Sequence, residues 1–163
     1  MDIKVIKPDG AEADRFEEGI LWVKGPNVML GYYNDPDKTA QVIKDGWLCT
    51  GDIATVDEYG MTIIRGRSDD LIIRAGINIY PHDVESTLKA DKRVKEALVY
   101  RIDNPISGAA LGLKISGDFD STDDVRKMCL DRLPSFQMPS KIELVDELPK
   151  NGTGKIIRRV ENA

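Results

Sequence analysis

From Gly66 to Glu85 the chain reads GRSDDLIIRAGINIYPHDVE, and no single regular element accommodates it. Gly66-Arg67-Ser68-Asp69-Asp70 is a charged, glycine-led turn, and Leu71-Ile72-Ile73 is a short apolar strand. Pro81-His82-Asp83 then opens a helix whose apolar positions Val84 and Leu88 fall at helical spacing. The adjacent carboxylates of Asp69 and Asp70 repel each other strongly away from water, so this turn is expected to face solvent and to be mobile. The change of pattern divides the chain into a part of residues 1–66 and a part of residues 67–163.

Before the junction the pattern is one of short antiparallel strands. Ile3 to Ile6 is followed by a turn at Pro8-Asp9-Gly10, and Ile20 to Val23 is bounded by Gly19 and Gly25-Pro26. Asn34-Asp35-Pro36-Asp37 signals entry into a short amphipathic run from Thr39 to Ile43, and Asp45-Gly46 turns the chain into a strand, Trp47-Leu48-Cys49. That strand is expected to end at Thr50-Gly51-Asp52. A hairpin of Ile53 to Val56 with Met61 to Arg65 follows, around Asp57-Glu58-Tyr59-Gly60.

After the junction, strands alternate with helices. A helix from about Pro81 to Lys89 precedes strands at Val94 to Tyr100 and Ala109 to Ile115, with Asp103-Asn104-Pro105 and Ser107-Gly108 supplying the turn. Ser121 is an N-cap with Asp124 three positions on, and Val125, Met128, Cys129 and Leu133 line one face of a helix that stops at Pro134. Ile142 to Val145 is a last strand before a loop and a basic turn from Ile156. The fold class is α+β, with a β-rich N-terminal subdomain and a compact C-terminal α+β domain of a small sheet with flanking helices.

Composition narrows the function classes. In 163 residues, 41% hydrophobic content suffices for a core, while 31% charged content leaves no run long enough to span a membrane. MDIKVIKPDG lacks the apolar stretch of a secretory signal, so a cytoplasmic location is expected. Two cysteines, Cys49 and Cys129, show no paired spacing, and a single histidine, His82, leaves no soft ligand set, so neither a disulfide nor a metal site is expected. A net charge of −5 argues against a nucleic-acid partner, even though Lys150, Lys155, Arg158 and Arg159 cluster near the end.

The segment with the most chemistry is LPKNGTGKIIRR, Leu148 to Arg159. Glycines at 152 and 154 let the backbone approach a ligand closely, and Lys155 presents a compact positive charge suited to a phosphate or carboxylate. It is not a Walker A loop, because Pro149 takes the first glycine position and Ile156 follows the lysine.

Together these segments resemble the adenylate-forming superfamily that contains acyl-CoA synthetases, the adenylation domains of peptide synthetases and firefly-type luciferases. Trp47 to Asp52 is similar to its TGD motif, GPNVMLGYYNDPDKT to the segment leading into that motif, Gly66 to Glu85 to its hinge and following loop, and Leu148 to Arg159 to its catalytic-lysine motif. The resemblance implies the C-terminal part of such an enzyme. Residues 1–66 would be a β-rich piece of a distorted barrel belonging to the large domain, and 67–163 the mobile C-terminal domain. The large N-terminal domain, with its phosphate loop and acyl pocket, has no counterpart in these residues.

The resemblance also implies roles. Asp52 would accept hydrogen bonds from the ribose hydroxyls of ATP, Arg67 would lie near the nucleotide, and Asp69 would be the hinge, with Asp70 as the alternative. Lys155 would bridge the substrate carboxylate and the α-phosphate, and Gly76 would line a thiol channel. ATP with Mg2+ would be held mainly by the large domain. The thiol acceptor is CoA or a carrier-protein phosphopantetheine; Gln137, Met138 and Ser140 are uncharged where many CoA users carry cations, which keeps the second open. A non-catalytic docking module of the same fold is the remaining alternative. The isolated chain is expected to be inactive, and its uncovered apolar surface to permit self-association.

Overall fold

The computed structural model describes residues 1–106 and 108–158, and the chain folds as two compact units that divide between Asp69 and Asp70. Ser107 of the expected turn and Arg159 of the basic segment lie outside the described residues. Each unit has its own apolar core, which is why the chain reads as mixed α+β.

In the first unit, strand β1 (Asp2–Ile6) pairs antiparallel with β2 (Gly19–Lys24), and β2 pairs antiparallel with β4 (Trp47–Val56). Two further strands, β3 (Ile43–Lys44) and β5 (Thr62–Arg67), also pair with β4, the longest strand of this sheet. Val5, Leu21 and Ala54 form the small core, with Ala13, Val23 and Val56 packed against it. A sheet with so narrow a core leaves large side chains uncovered. Leu30, Tyr33, Tyr59, Met61 and Ile64 are all exposed.

Two expectations are corrected in this unit. The strand that begins at Trp47 does not end at Thr50-Gly51-Asp52; β4 continues to Val56, because Gly51 adopts φ 73 and the irregularity around it is absorbed as a register shift against β2 between Cys49 and Ile53 rather than as a break. The short helix α1 (Pro36–Val42) stops one residue earlier than expected, since Ile43 already turns into β3, and it buries no residue. It is held locally instead: Asp35 Oδ1 accepts from the Lys38 amide at 3.0 Å, and Thr39 Oγ1 accepts from the Tyr32 amide at 2.9 Å.

The second unit begins with a small antiparallel hairpin of β6 (Ile72–Arg74) and β7 (Ile77–Ile79), of which the apolar pattern announces only the first strand. Helix α2 (Pro81–Lys89) follows, with proline at its first position and Asp83 in its first turn, where the helix dipole favours a negative charge. Strand β8 (Val94–Asn104) pairs antiparallel with β9 (Gly108–Gly117), both longer than the apolar runs that announce them. Helix α3 (Thr122–Arg132), capped by Ser121 Oγ accepting from the Asp124 amide at 3.3 Å, then leads to β10 (Lys141–Leu144), which pairs parallel with β9.

Strand β9 is therefore central, and Ala109, Leu111, Leu113 and Ile115, which alternate onto one of its faces, are fully buried in the core of this unit. Gly112 faces the ring of Tyr100 on β8 so closely that a Cβ there would collide with the ring carbons. Arg93 ties the start of β8 to α3, contacting Asp91 at 3.0 Å and Asp124 at 3.2 Å. Its hydrogen bonds, above all, hold the Asp91 carboxyl well below the ordinary carboxylate range. Cys129, buried on α3, has its thiol pushed up to about 11 by burial. No helix among the described residues is long and apolar enough to cross a membrane.

Leu113→Ala would leave a methyl-lined void that neighbouring strands cannot collapse into. We expect a loss of about 3 kcal/mol in urea unfolding followed by tryptophan-independent far-UV circular dichroism, because both tryptophans lie in the first unit.

Candidate functional site

Asp52, Arg67 and Asp69 come together at the edge of the first unit. Asp52 on β4 faces Arg67 on β5 as a register partner, so the two side chains meet by strand pairing alone. Arg67 Nη1 donates to the Thr50 carbonyl at 2.6 Å and to Asp52 Oδ1 at 3.3 Å, while Nη2 lies 3.7 Å from Asp69 Oδ2. Thr50 Oγ1 accepts from the Asp52 amide at 3.0 Å and donates to the Leu21 carbonyl at 3.0 Å, which pins the turn onto β2. Gly51 is needed for two reasons. Its φ of 73 is in the left-handed region, and a Cβ would meet the Arg67 guanidinium at 3.1 Å. The result is a half-exposed carboxylate, oriented by one arginine and open to solvent on its other side.

Asp69 and Asp70 each lie beside an arginine, which offsets the repulsion expected of them. Asp69 faces Arg67, and Asp70 Oδ2 lies 3.3 Å from Nε of Arg158, from the far end of the chain. The turn between them is a single short 3-10 segment, Ser68–Asp70.

Gly76 sits at the exposed tip of the β6–β7 hairpin. Ala75 (φ 49) and Gly76 (φ 80) are both left-handed, the signature of a tight two-residue hairpin turn, and a Cβ on Gly76 would meet nothing within 4 Å. Arg74, which no sequence pattern singles out, donates to the carbonyls of Phe136 at 3.0 Å and Met138 at 2.9 Å. Those bonds tie the Gly76 hairpin to the segment containing Gln137 and Met138. Ser140 in the same stretch donates to the Leu111 carbonyl at 3.2 Å, so its lack of charge has a structural use.

Lys155 follows the tip of another small hairpin. Lys150 and Ile156 form an isolated bridge, the Ile157 amide donates to the Pro149 carbonyl at 2.8 Å, and the Asn151 amide to the Lys155 carbonyl at 2.9 Å. Asn151 Oδ1 organises the tip, accepting from the Thr153 amide at 3.1 Å and the Lys155 amide at 2.9 Å, while Gly154 takes φ 80. The backbone is thus tightly specified. The lysine side chain is exposed and makes no ion pair among the described residues.

Sequence reasoning also missed the buried anchor beneath this hairpin. Glu85 on α2 is only 4% exposed, and its carboxylate receives Arg158 through Nη1 at 2.6 Å and Nη2 at 2.8 Å. Glu85 Oε1 also accepts from the Val99 amide of β8 at 2.9 Å. The hydrogen bonds that Arg158 donates to Glu85, above all, raise the affinity of the guanidinium for its proton. A signal existed: Glu85 follows Val84 and precedes Leu88 on the apolar face of α2, and a carboxylate there must be paired.

A two-glycine lysine hairpin on a small α+β unit, following a sheet that carries a TGD turn, defines a recognisable class. Residues 83–155 match the AMP-binding enzyme C-terminal domain, and the chain carries a domain of that family. Over 162 residues it is 41% identical to a long-chain-fatty-acid CoA ligase of Haemophilus influenzae, covering 98% of this chain and 29% of that protein. A 2-succinylbenzoate CoA ligase of Geobacillus kaustophilus is 41% identical over 158 residues, covering 94% of this chain and 32% of that protein. Among solved structures, the o-succinylbenzoate CoA synthetase of Bacillus subtilis, in complex with its acyl-adenylate intermediate, superimposes with a TM-score of 0.89 at 34% identity. That match covers 99% of this chain and 34% of the synthetase. The same synthetase has been solved with ATP and magnesium ion. This chain therefore corresponds to about a third of the length of the proteins it matches.

The buried pair makes a stability prediction. Arg158→Ala would leave the Glu85 carboxylate buried and unpaired, and we expect a loss of about 3 kcal/mol at neutral pH in urea titration.

Proposed function

We propose that this chain is the C-terminal portion of an ATP-dependent carboxylic acid ligase that forms an acyl-adenylate and then an acyl thioester with CoA. The observation that carries this reading is the exposed Lys155 on a rigidly specified hairpin, in a chain similar along almost its whole length to CoA ligases. A mobile charge on a fixed backbone suits a group that must meet a developing phosphate charge. Residues 1–66 would belong to the large domain and 67–163 to the moving one, with Asp69 as the hinge at the boundary between the units.

In the first step a substrate carboxylate oxygen attacks the α-phosphorus of ATP and the bond to pyrophosphate breaks. Lys155 would stabilise the charge shared by the incoming carboxylate and the α-phosphate. Asp52, an acceptor-only carboxylate held by Arg67, fits a ribose diol, which offers two donors. In the second step a thiol sulfur attacks the acyl carbon and AMP leaves, with the Gly76 tip, free of any side chain, beside the thiol's path. Magnesium would be held by the large domain. The exposed apolar residues of the first unit, such as Leu30, Tyr33 and Ile64, would face that domain.

The test is a chimera in which this chain replaces the matching C-terminal third of the Bacillus subtilis synthetase. ATP-pyrophosphate exchange dependent on its acid is expected, and a folded chimera without exchange would count against the reading. In that chimera Lys155→Ala should lower the rate of adenylate formation by about 10²–10³-fold while sparing thioester formation from supplied acyl-adenylate. Asp52→Ala should raise the KM for ATP about tenfold, measured by the same exchange assay, through the loss of a charged hydrogen-bond acceptor. A carrier-protein acceptor would reveal itself by thioester formation on phosphopantetheine and none on free CoA.

A further inference from the structure

We propose that Arg158 is a positioning residue for Lys155: it fastens the returning arm of the lysine hairpin to buried Glu85 and, through Asp70, joins that hairpin to the start of the second unit. The inference rests on Lys155 being the group that meets the reacting carboxylate, as argued above.

The hairpin has two arms, and each is secured differently. The entering arm is held by buried Leu148 and by Lys150, whose Nζ lies 2.9 Å from Glu96 Oε1 on β8. The returning arm, Ile156 to Arg158, has as its side-chain attachment the guanidinium of Arg158. All of that group's nitrogens are used: Nη1 and Nη2 on Glu85, and Nε toward Asp70. A planar fork can meet two carboxylates at once in this way, whereas a lysine ammonium cannot reproduce the geometry.

Glu85 is well placed to be the fixed point. It is buried on α2, and its Oε1 also receives the Val99 amide on the free edge of β8, so helix and strand both hold it. Arg158 follows Lys155 by three residues, a span of at most about 10 Å of extended chain. Loosening the arm would let the lysine wander by more than the roughly 1 Å misplacement that can cost about 10²-fold in rate. The contact to Asp70 adds a second consequence. Asp70 is the first residue after the unit boundary, so the lysine hairpin is linked to the residue next to Asp69 and would turn with it as one body.

Hydrogen exchange on the 163-residue chain tests the fastening directly, since this unit has a complete core of its own. In Arg158→Ala, the amides of Asn151, Gly154, Lys155 and Ile157 should exchange at least about tenfold faster through local opening that is insensitive to urea, while those of β9 rise only by the factor that the loss of global stability sets and keep their urea dependence. Arg158→Lys should resemble Arg158→Ala. If Arg158→Ala does not fold, Glu85→Gln serves instead, because its amide oxygen still accepts from Val99 but lacks the charge that holds Arg158. In the chimera, either variant should lower kcat for adenylate formation by about 10²-fold with the KM for ATP within about threefold, and leave thioester formation from supplied acyl-adenylate intact. Unchanged hairpin amides, or hairpin amides whose faster exchange has the same urea dependence as that of β9, would overturn the proposal. So would unimpaired adenylation in a variant whose hairpin has loosened. Lys155→Ala separates the two readings: if it leaves adenylation intact, the catalytic reading fails, whereas its loss alongside normal adenylation in Arg158→Ala defeats only the positioning role.

Discussion

A carboxylate on the apolar face of α2 is the constraint from which the second unit's arrangement follows. Glu85 lies between Val84 and Leu88 and is taken out of water with them. An unpaired charge in that position would be prohibitive, so every hydrogen-bonding direction of the group has to be filled by protein. The edge amide of Val99 fills one and Arg158 the others. Arg158, the last of the described residues, is thereby drawn back onto a helix near the unit's beginning. The polar anchor adds direction to a core built of non-directional apolar contacts among residues such as Leu88, Leu111 and Val125.

The two hairpins of this unit, with their tips at Gly76 and before Lys155, solve the same problem by different means. Both must project from a compact body without becoming floppy. The Gly76 hairpin gains stiffness from two consecutive left-handed residues and from Arg74, which reaches across to the Phe136 and Met138 carbonyls. The lysine hairpin uses Asn151 as an internal brace and ion pairs at its base. No hydrogen bond or ion pair joins the two tips among the described residues. Independent tips are compatible with their serving separate steps of one reaction.

The regular elements of the fold are legible in the sequence because they depend on local pattern. Pro81, the Ser121 cap and the apolar spacing of Val125, Met128 and Cys129 locate α2 and α3 with little error. Strand ends are less legible: β8 and β9 extend past Tyr100 and Ile115 because pairing with a neighbour, not side-chain polarity, decides where a strand stops. The expected break of β4 at Gly51 fails for the related reason that a glycine bulge and a turn look alike in sequence. At the candidate site, Gly152, Gly154 and Lys155 announce a close-approach loop by themselves. The Glu85–Arg158 pair could not be read as a pair, because 73 residues separate its members and neither belongs to a recognisable spacing.

Gly51 shows how a small geometric fact governs what the chain can become over generations. Every single-base change to a glycine codon that alters the residue adds a side chain or ends the protein. At this position a Cβ meets two obstacles at once, a backbone sign that costs about 1–2 kcal/mol for an ordinary residue and the guanidinium of Arg67 packed directly above. Relieving the second has a cost of its own, since moving Arg67 aside also weakens its hold on Asp52 and the Thr50 carbonyl. Substitution is therefore costlier here than at half-buried, unpaired Cys49 nearby, since any residue at the centre of the turn between Thr50 and Asp52 has both costs to meet.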